Sequence, residues 1–159
     1  MRILLTTFVV LVALAACNSA LAQNQKELVV KTAKALETAP LDKATAAMQS
    51  DALKWLIETD DVHLIVCGGT FELFNDKKNK VSSEMTGAYT IGMGAFKIEH
   101  PEKVSDESAA QFAGLLLALK VYEAMVKDKP KNSFPKVDEL IQKRDSGQLE
   151  ALVRGLGCK

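Results

Sequence analysis

The stretch Asp60-Asp61-Val62-His63-Leu64-Ile65-Val66-Cys67-Gly68-Gly69-Thr70-Phe71-Glu72-Leu73-Phe74-Asn75-Asp76 decides the fold class. Read as extended chain, Val62, Leu64, Ile65 and Val66 make a short buried strand that ends at the glycine pair. Read as a helix capped by Thr59 or Asp60, it gathers Val62, Ile65, Val66, Phe71 and Phe74 on one face. A lone strand leaves its backbone groups unpaired, and no partner run is recognisable elsewhere in the chain. The helical reading is therefore preferred.

Both flanks carry helical periodicity. Upstream, Leu28, Val29, Thr32, Ala33 and Leu36 share a face over Gln25 to Glu37, and Leu41, Ala44, Met48, Ala52 and Trp55 recur at three- and four-residue steps to about Glu58. Downstream, Met85, Ala88, Tyr89, Gly92 and Phe96 predict a helix from Ser82 or Ser83 to about Glu99, ended by Pro101. Gly87, Gly92 and Gly94 each cost that helix about 1 kcal/mol relative to alanine. Close approach of other chain segments is the expected compensation, at Gly92 on the apolar face and at Gly87 and Gly94 away from it. From Ser105 or Asp106 the longest apolar segment has Phe112, Leu115, Leu116, Leu119, Tyr122 and Val126 on one side and Leu117, Val121 and Met125 on the other, the pattern of a central helix. Pro135 starts a short helix that Gly147 stops, and Leu149, Leu152, Val153 and Leu156 make the last one. The sum is an all-α, irregular antiparallel bundle of six or seven helices.

Residues Met1 to Ala22 read as an export signal: Arg2, an apolar run from Ile3 to Ala16 that is short for a membrane span, then small residues. Ala20-Leu21-Ala22 fits a cut before Gln23. Leu14-Ala15-Ala16-Cys17 fits a lipoprotein cut, with Cys17 as the lipidation candidate and the sole route to a membrane. The remaining residues, 23–159, form a single α-helical domain located in the periplasm or anchored at the outer membrane. Outside the cytoplasm an even pair of cysteines favours a disulfide. A Cys67–Cys158 bridge would pin the bundle, closing a loop of about 90 residues worth on the order of 4 to 5 kcal/mol on the chain-entropy account.

The 159 residues carry 20 Lys and Arg against 20 Asp and Glu, enough for one modest core and without the basic surplus that nucleic acid demands. No residue set reads as catalytic, cofactor-binding or metal-binding. His63 and Cys67, four apart, suggest an activated thiolate, which a disulfide at Cys67 removes. Glu99, His100, Glu102 and Asp106 are oxygen- and nitrogen-bearing neighbours with no recognised ligand spacing. A binding surface is read at Gly87, Tyr89, Gly92 and Met93, where missing side chains bare the backbone, and at Phe134 in the loop Pro130 to Pro135.

The Gly87-x-Tyr89-x-x-Gly92 helix, the long apolar helix after it and Cys158 beside Leu152 and Val153 resemble the periplasmic immunity proteins that neutralise peptidoglycan-degrading effectors of type VI secretion. The resemblance covers roughly residues 85 to 158 and implies an inhibitory partner-binding role, with no contact residue carried over. A second cysteine near the end of the Tyr-Gly helix is missing here, and extra N-terminal helices are present. The expected function is a non-enzymatic cell-envelope domain, protein-binding or structural, whose partner is another envelope protein. A small-ligand or lipid carrier and a Cys/His-dependent enzyme are the alternatives.

Overall fold

The structure, a computed structural model, describes residues 22–157. They form seven α-helices and no strand: α1 (22–38), α2 (Lys43–Glu58), α3 (Gly68–Phe71), α4 (Ser82–Glu99), α5 (Glu107–Asp128), α6 (Pro135–Asp145) and α7 (Leu149–Leu156). Single 3-10 turns at Pro101–Lys103 and Pro130–Asn132 join α4 to α5 and α5 to α6. The all-α expectation holds, and most helix ends fall where the caps and prolines put them. Asp106 accepts from the Ala109 N–H at 2.9 Å to open α5. Gly147, at φ 71°, closes α6 while the Gln148 N–H reaches back to the Lys143 carbonyl.

The α4–α5 hairpin is the middle layer. On one side Val29, Leu36, Ala52, Leu56 and Val62 pack against Ala88, Ile91, Ala95, Leu117 and Val121. On the other, Phe74, Val81, Met85, Tyr89 and Met93 join Leu115, Leu119 and Tyr122 with Val137, Leu140, Leu149 and Val153 of α6 and α7. A helix flanked by two cores must be apolar on both sides, which is what made α5 legible. By length and hydropathy alone α5 also qualifies as a membrane-crossing helix.

The glycines account for the layering. A Cβ on Gly92 would sit 2.8 Å from the Gly114 Cα, and one on Gly114 would sit 2.6 Å from the Tyr89 carbonyl oxygen, so the two backbones touch at this crossing. Gly87 and Gly94 face α2 instead, against Gln49 and Leu56 respectively. The expected second close contact is there, and it fixes direction: 49 lies beside 87 and 56 beside 94, so α2 and α4 run parallel. That departs from an all-antiparallel bundle.

Parallel neighbours require a return crossing, and this is why the helix expected over Asp60 to Asp76 does not form. The chain leaves α2 beside the C-terminal end of α4 and must regain its N-terminal end. Extended backbone covers about 3.3 Å per residue against 1.5 Å for helix. Residues 59–67 accordingly run without helix, and only Gly68–Phe71 makes a single helical turn.

Candidate functional site: a braced extended segment

The returning segment has no strand beside it, yet its inner edge is satisfied. Lys97 of α4 donates from Nζ to the His63 carbonyl at 2.8 Å, and Gln111 of α5 donates from Nε2 to the Ile65 carbonyl at 2.5 Å. Carbonyls two residues apart point the same way in extended chain, so two side chains substitute for a neighbouring strand's ladder. This is the possibility the sequence reading overlooked when it dismissed a strand for want of a partner.

The braces are themselves held. Lys97 Nζ pairs with Glu107 Oε1 at 2.5 Å, with side chains only 3% and 18% exposed. The other Glu107 oxygen is buried without a hydrogen-bond partner among the described residues. The carboxylate stands in the first turn of α5, where the helix dipole favours negative charge. Gln111 accepts from the Tyr89 hydroxyl through Oε1, leaving its amide nitrogen for Ile65. The buried polar side chains of Lys97, Gln111 and Tyr89 thus converge on the back of residues 63–65. Burying them is costly unless each is paired, so their convergence marks a segment held in one conformation.

Burial pushes the Tyr89 phenol well above its usual range, and Tyr122 is raised as well, by burial first and then by its hydrogen bond to Asp138. A raised folded-state value means the native protein keeps a proton that the unfolded chain surrenders. Stability from this source is complete below about pH 10 and is lost as pH climbs from there towards the folded-state values. Tyr89→Phe should reduce the alkaline slope, with Tyr122 supplying the remainder. At neutral pH it should lower stability by about 1–3 kcal/mol, because Gln111 Oε1 loses its donor. Urea unfolding at pH 7 and pH 10.5 reads both effects, and an unchanged alkaline slope would refute this account of Tyr89.

The outer side of the segment is open. Ile65 and Val66 are 54% and 48% exposed. Among the described residues the backbone groups of Val62, Leu64 and Val66 make no hydrogen bond. Beyond Val66, Cys67 is buried. Cys17 and Cys158 lie outside the described residues, as does the segment read as an export signal up to residue 21, Ala22 standing at the start of α1.

The surface expected around the Tyr-Gly helix is corrected. Tyr89 and Met93 are both 0% exposed, Gly92 is sealed by Gly114, and half-buried Gly87 abuts Gln49. These residues are bare of side chain, or aromatic, because helices pack there. Phe134 is half-buried on the α5–α6 core, its N–H donating to the Tyr122 hydroxyl at 2.7 Å. His100 lies 3.4 Å from Glu102 and tilts against the Phe96 ring. Among the described residues no three His, Cys, Asp or Glu side chains are placed to hold a metal ion.

Sequence reasoning passed over Lys97, Glu107 and Gln111. The available signal was a lysine in Ala95-Phe96-Lys97-Ile98 and a glutamine in Ala110-Gln111-Phe112, polar residues inside otherwise apolar runs. A second feature, a groove of about 520 Å³ between α1, α4 and α5, has a floor of Ala33, Ala95, Ala113 and Leu116. Its rim carries the pairs Glu37–Lys120 and Glu123–Arg144. No known protein family, curated protein or solved structure matches the chain.

Proposed function

We propose that this chain is an exported, non-enzymatic helical domain that binds another protein in the cell envelope, with residues 62–66 as its recognition strand. What carries the reading is the brace: Lys97 and Gln111 fix an extended segment from behind while Ile65 and Val66 face outward. An extended segment with free backbone groups and exposed apolar side chains is the element that strand-addition recognition uses. Binding and neutralising a delivered effector, as the resemblance to immunity proteins implies, is one form of this role.

A Cys67–Cys158 disulfide belongs to the same proposal. What supports it is that Leu156 lies against Gly69, whose Cβ would stand 3.3 Å from the Leu156 Cβ, with Cys67 two residues before Gly69 and Cys158 two residues after Leu156 in the sequence. Such a bridge would lock one end of the recognition strand. Maturation removes residues 1–22, or cuts before Cys17 with lipid added there. Intact mass of the envelope-purified protein tests this part: two alkyl groups gained only after reduction support it, and two gained without reduction overturn it.

The recognition role is tested by a photo-crosslinking residue at Ile65, with the same residue at exposed Leu41 as the control. Protein adducts at position 65 that position 41 does not give are expected, and equal yields at both overturn the reading. The groove favours a second reading, a small apolar ligand carried between α1, α4 and α5. Native mass spectrometry that finds a lipid on the purified protein would move the function there.

A further inference from the structure

We infer that the end of the bundle carrying the α1–α2 turn and the α5–α6 connection lies on an anionic lipid surface, its lysines among the headgroups and Leu41 inserted between them. The inference stands apart from the reading of residues 62–66. It gives the chain a route to a membrane that does not need Cys17.

Helix direction brings the pieces together. The parallel course of α2 and α4 sets the start of α2 at the same end as the start of α4, and the antiparallel α4–α5 hairpin adds the end of α5. Three connections therefore meet at one pole, and contacts join them. Lys80 donates from Nζ to the Lys131 carbonyl at 3.1 Å, and Lys136 pairs with Asp76 at 3.0 Å. Leu41 shares a shallow apolar hollow with Ala124 and Lys127.

Positive charge gathers here. Residues 76–80 hold Lys77, Lys78 and Lys80, and residues 127–136 hold Lys127, Lys129, Lys131 and Lys136, all exposed. Against these seven stand Asp76 and Asp128, each already paired with a lysine. Asp42 is offset by Lys43, Asp138 is tied to Tyr122 and Ser133, and Glu84 and Glu139 stand further into α4 and α6. The whole chain balances 20 basic against 20 acidic residues, so the surplus is a property of this end.

The residue types select the partner. Every basic residue at the pole is lysine, a hydrated point charge without the planar fork that pairs with a carboxylate. Lysine is depleted at protein interfaces. Beside an anionic bilayer, in contrast, each lysine gains from the field of the whole surface and needs no fixed counterpart. Leu41, 51% exposed in the turn after Pro40, supplies the apolar group that interfacial anchoring adds to charge.

The test is co-sedimentation with vesicles of phosphatidylcholine alone or of equal parts phosphatidylcholine and phosphatidylglycerol. The full chain carries Cys17→Ser and is processed and purified from the envelope, so that no acyl group contributes. Binding to the anionic vesicles should exceed that to the neutral ones at least about tenfold and fall with added salt. Lys77→Gln with Lys78→Gln and Lys131→Gln should lower it at least about tenfold. Leu41→Ser should lower it about threefold or more. Lys26→Gln with Lys54→Gln and Lys103→Gln removes equal charge from the other end of the bundle, and should leave binding within about twofold because distant exposed charges are screened. The three pole ammonium groups make no bond among the described residues, so the fold should persist. Circular dichroism and the melting midpoint check this, and Lys78→Glu replaces the triple variant if it unfolds.

No preference for the anionic vesicles overturns the inference. So does a preference that the pole variant keeps or that the control variant loses equally. A photo-crosslinking residue at Lys78 separates lipid from an acidic protein: adducts to one envelope protein, from a chain that no vesicle holds, assign the pole to that protein and sink the membrane reading.

Discussion

Replacing Lys97 with alanine is expected to lower stability by about 3–5 kcal/mol, the range for removing one partner of a buried ion pair. The Nζ is the counter-ion of Glu107 and the donor to the His63 carbonyl, so the variant orphans a buried carboxylate and a backbone acceptor together. The α5 dipole offsets only part of the first loss, as a helix terminus is worth less than a paired charge. Lys97→Met with Glu107→Leu removes both charges and should recover most of the stability, because apolar replacement of a whole buried pair is often close to neutral. The His63 carbonyl stays unpaired in the double variant. Amide exchange across 62–66 should therefore remain faster than in the native chain even where the urea midpoint is restored. A single-variant loss below about 1 kcal/mol would mean that the pair is not the brace described.

The second large effect is expected at Gly114. Helix propensity alone predicts a gain of about 1 kcal/mol for alanine there. The structure reverses the sign, since the new Cβ would meet the Tyr89 carbonyl at 2.6 Å and Met93 Cγ at 2.7 Å. A methionine end can swing aside, but a helix backbone cannot move without separating α4 from α5. Gly114→Ala should cost about 2 kcal/mol and Gly114→Val at least about 3 kcal/mol, at the upper end of overpacking penalties. That is a large share of the 5–15 kcal/mol typical of a whole domain. Thermal or urea unfolding decides it, and an unchanged or raised midpoint for Gly114→Ala would show that the helices can part at this crossing.

The legible part of the fold was the part governed by local rules. Apolar spacing placed α1, α2, α4 and α5, Pro135 and Gly147 bounded α6, and the glycine cost in α4 pointed to close packing before any neighbour was known. Direction was not legible, because nothing in the apolar faces of α2 and α4 says which way either helix runs. The parallel arrangement then dictated an extended crossing that local periodicity over Val62 to Val66 could not reveal. The site was hidden for the same reason: Lys97 and Gln111 are far from residues 63–65 in sequence, and they become braces only once the crossing lies over them. Aromatic Tyr89 among glycines drew notice as a surface, although those glycines exist to let helices meet.

The two buried polar chains, Tyr89–Gln111–Ile65 and Glu107–Lys97–His63, also constrain how this sequence can drift. Each link uses a side chain on α4 and one on α5, and losing either strands the other in a medium that cannot solvate it. Tyr89 with Gln111, and Lys97 with Glu107, should therefore be kept or exchanged as pairs. The backbone carbonyls at the ends ask nothing of the residue types at positions 63 and 65. Descendants of this chain would keep four fixed positions behind a segment whose own letters are free to change, so that the crossing can vary while its support stays constant.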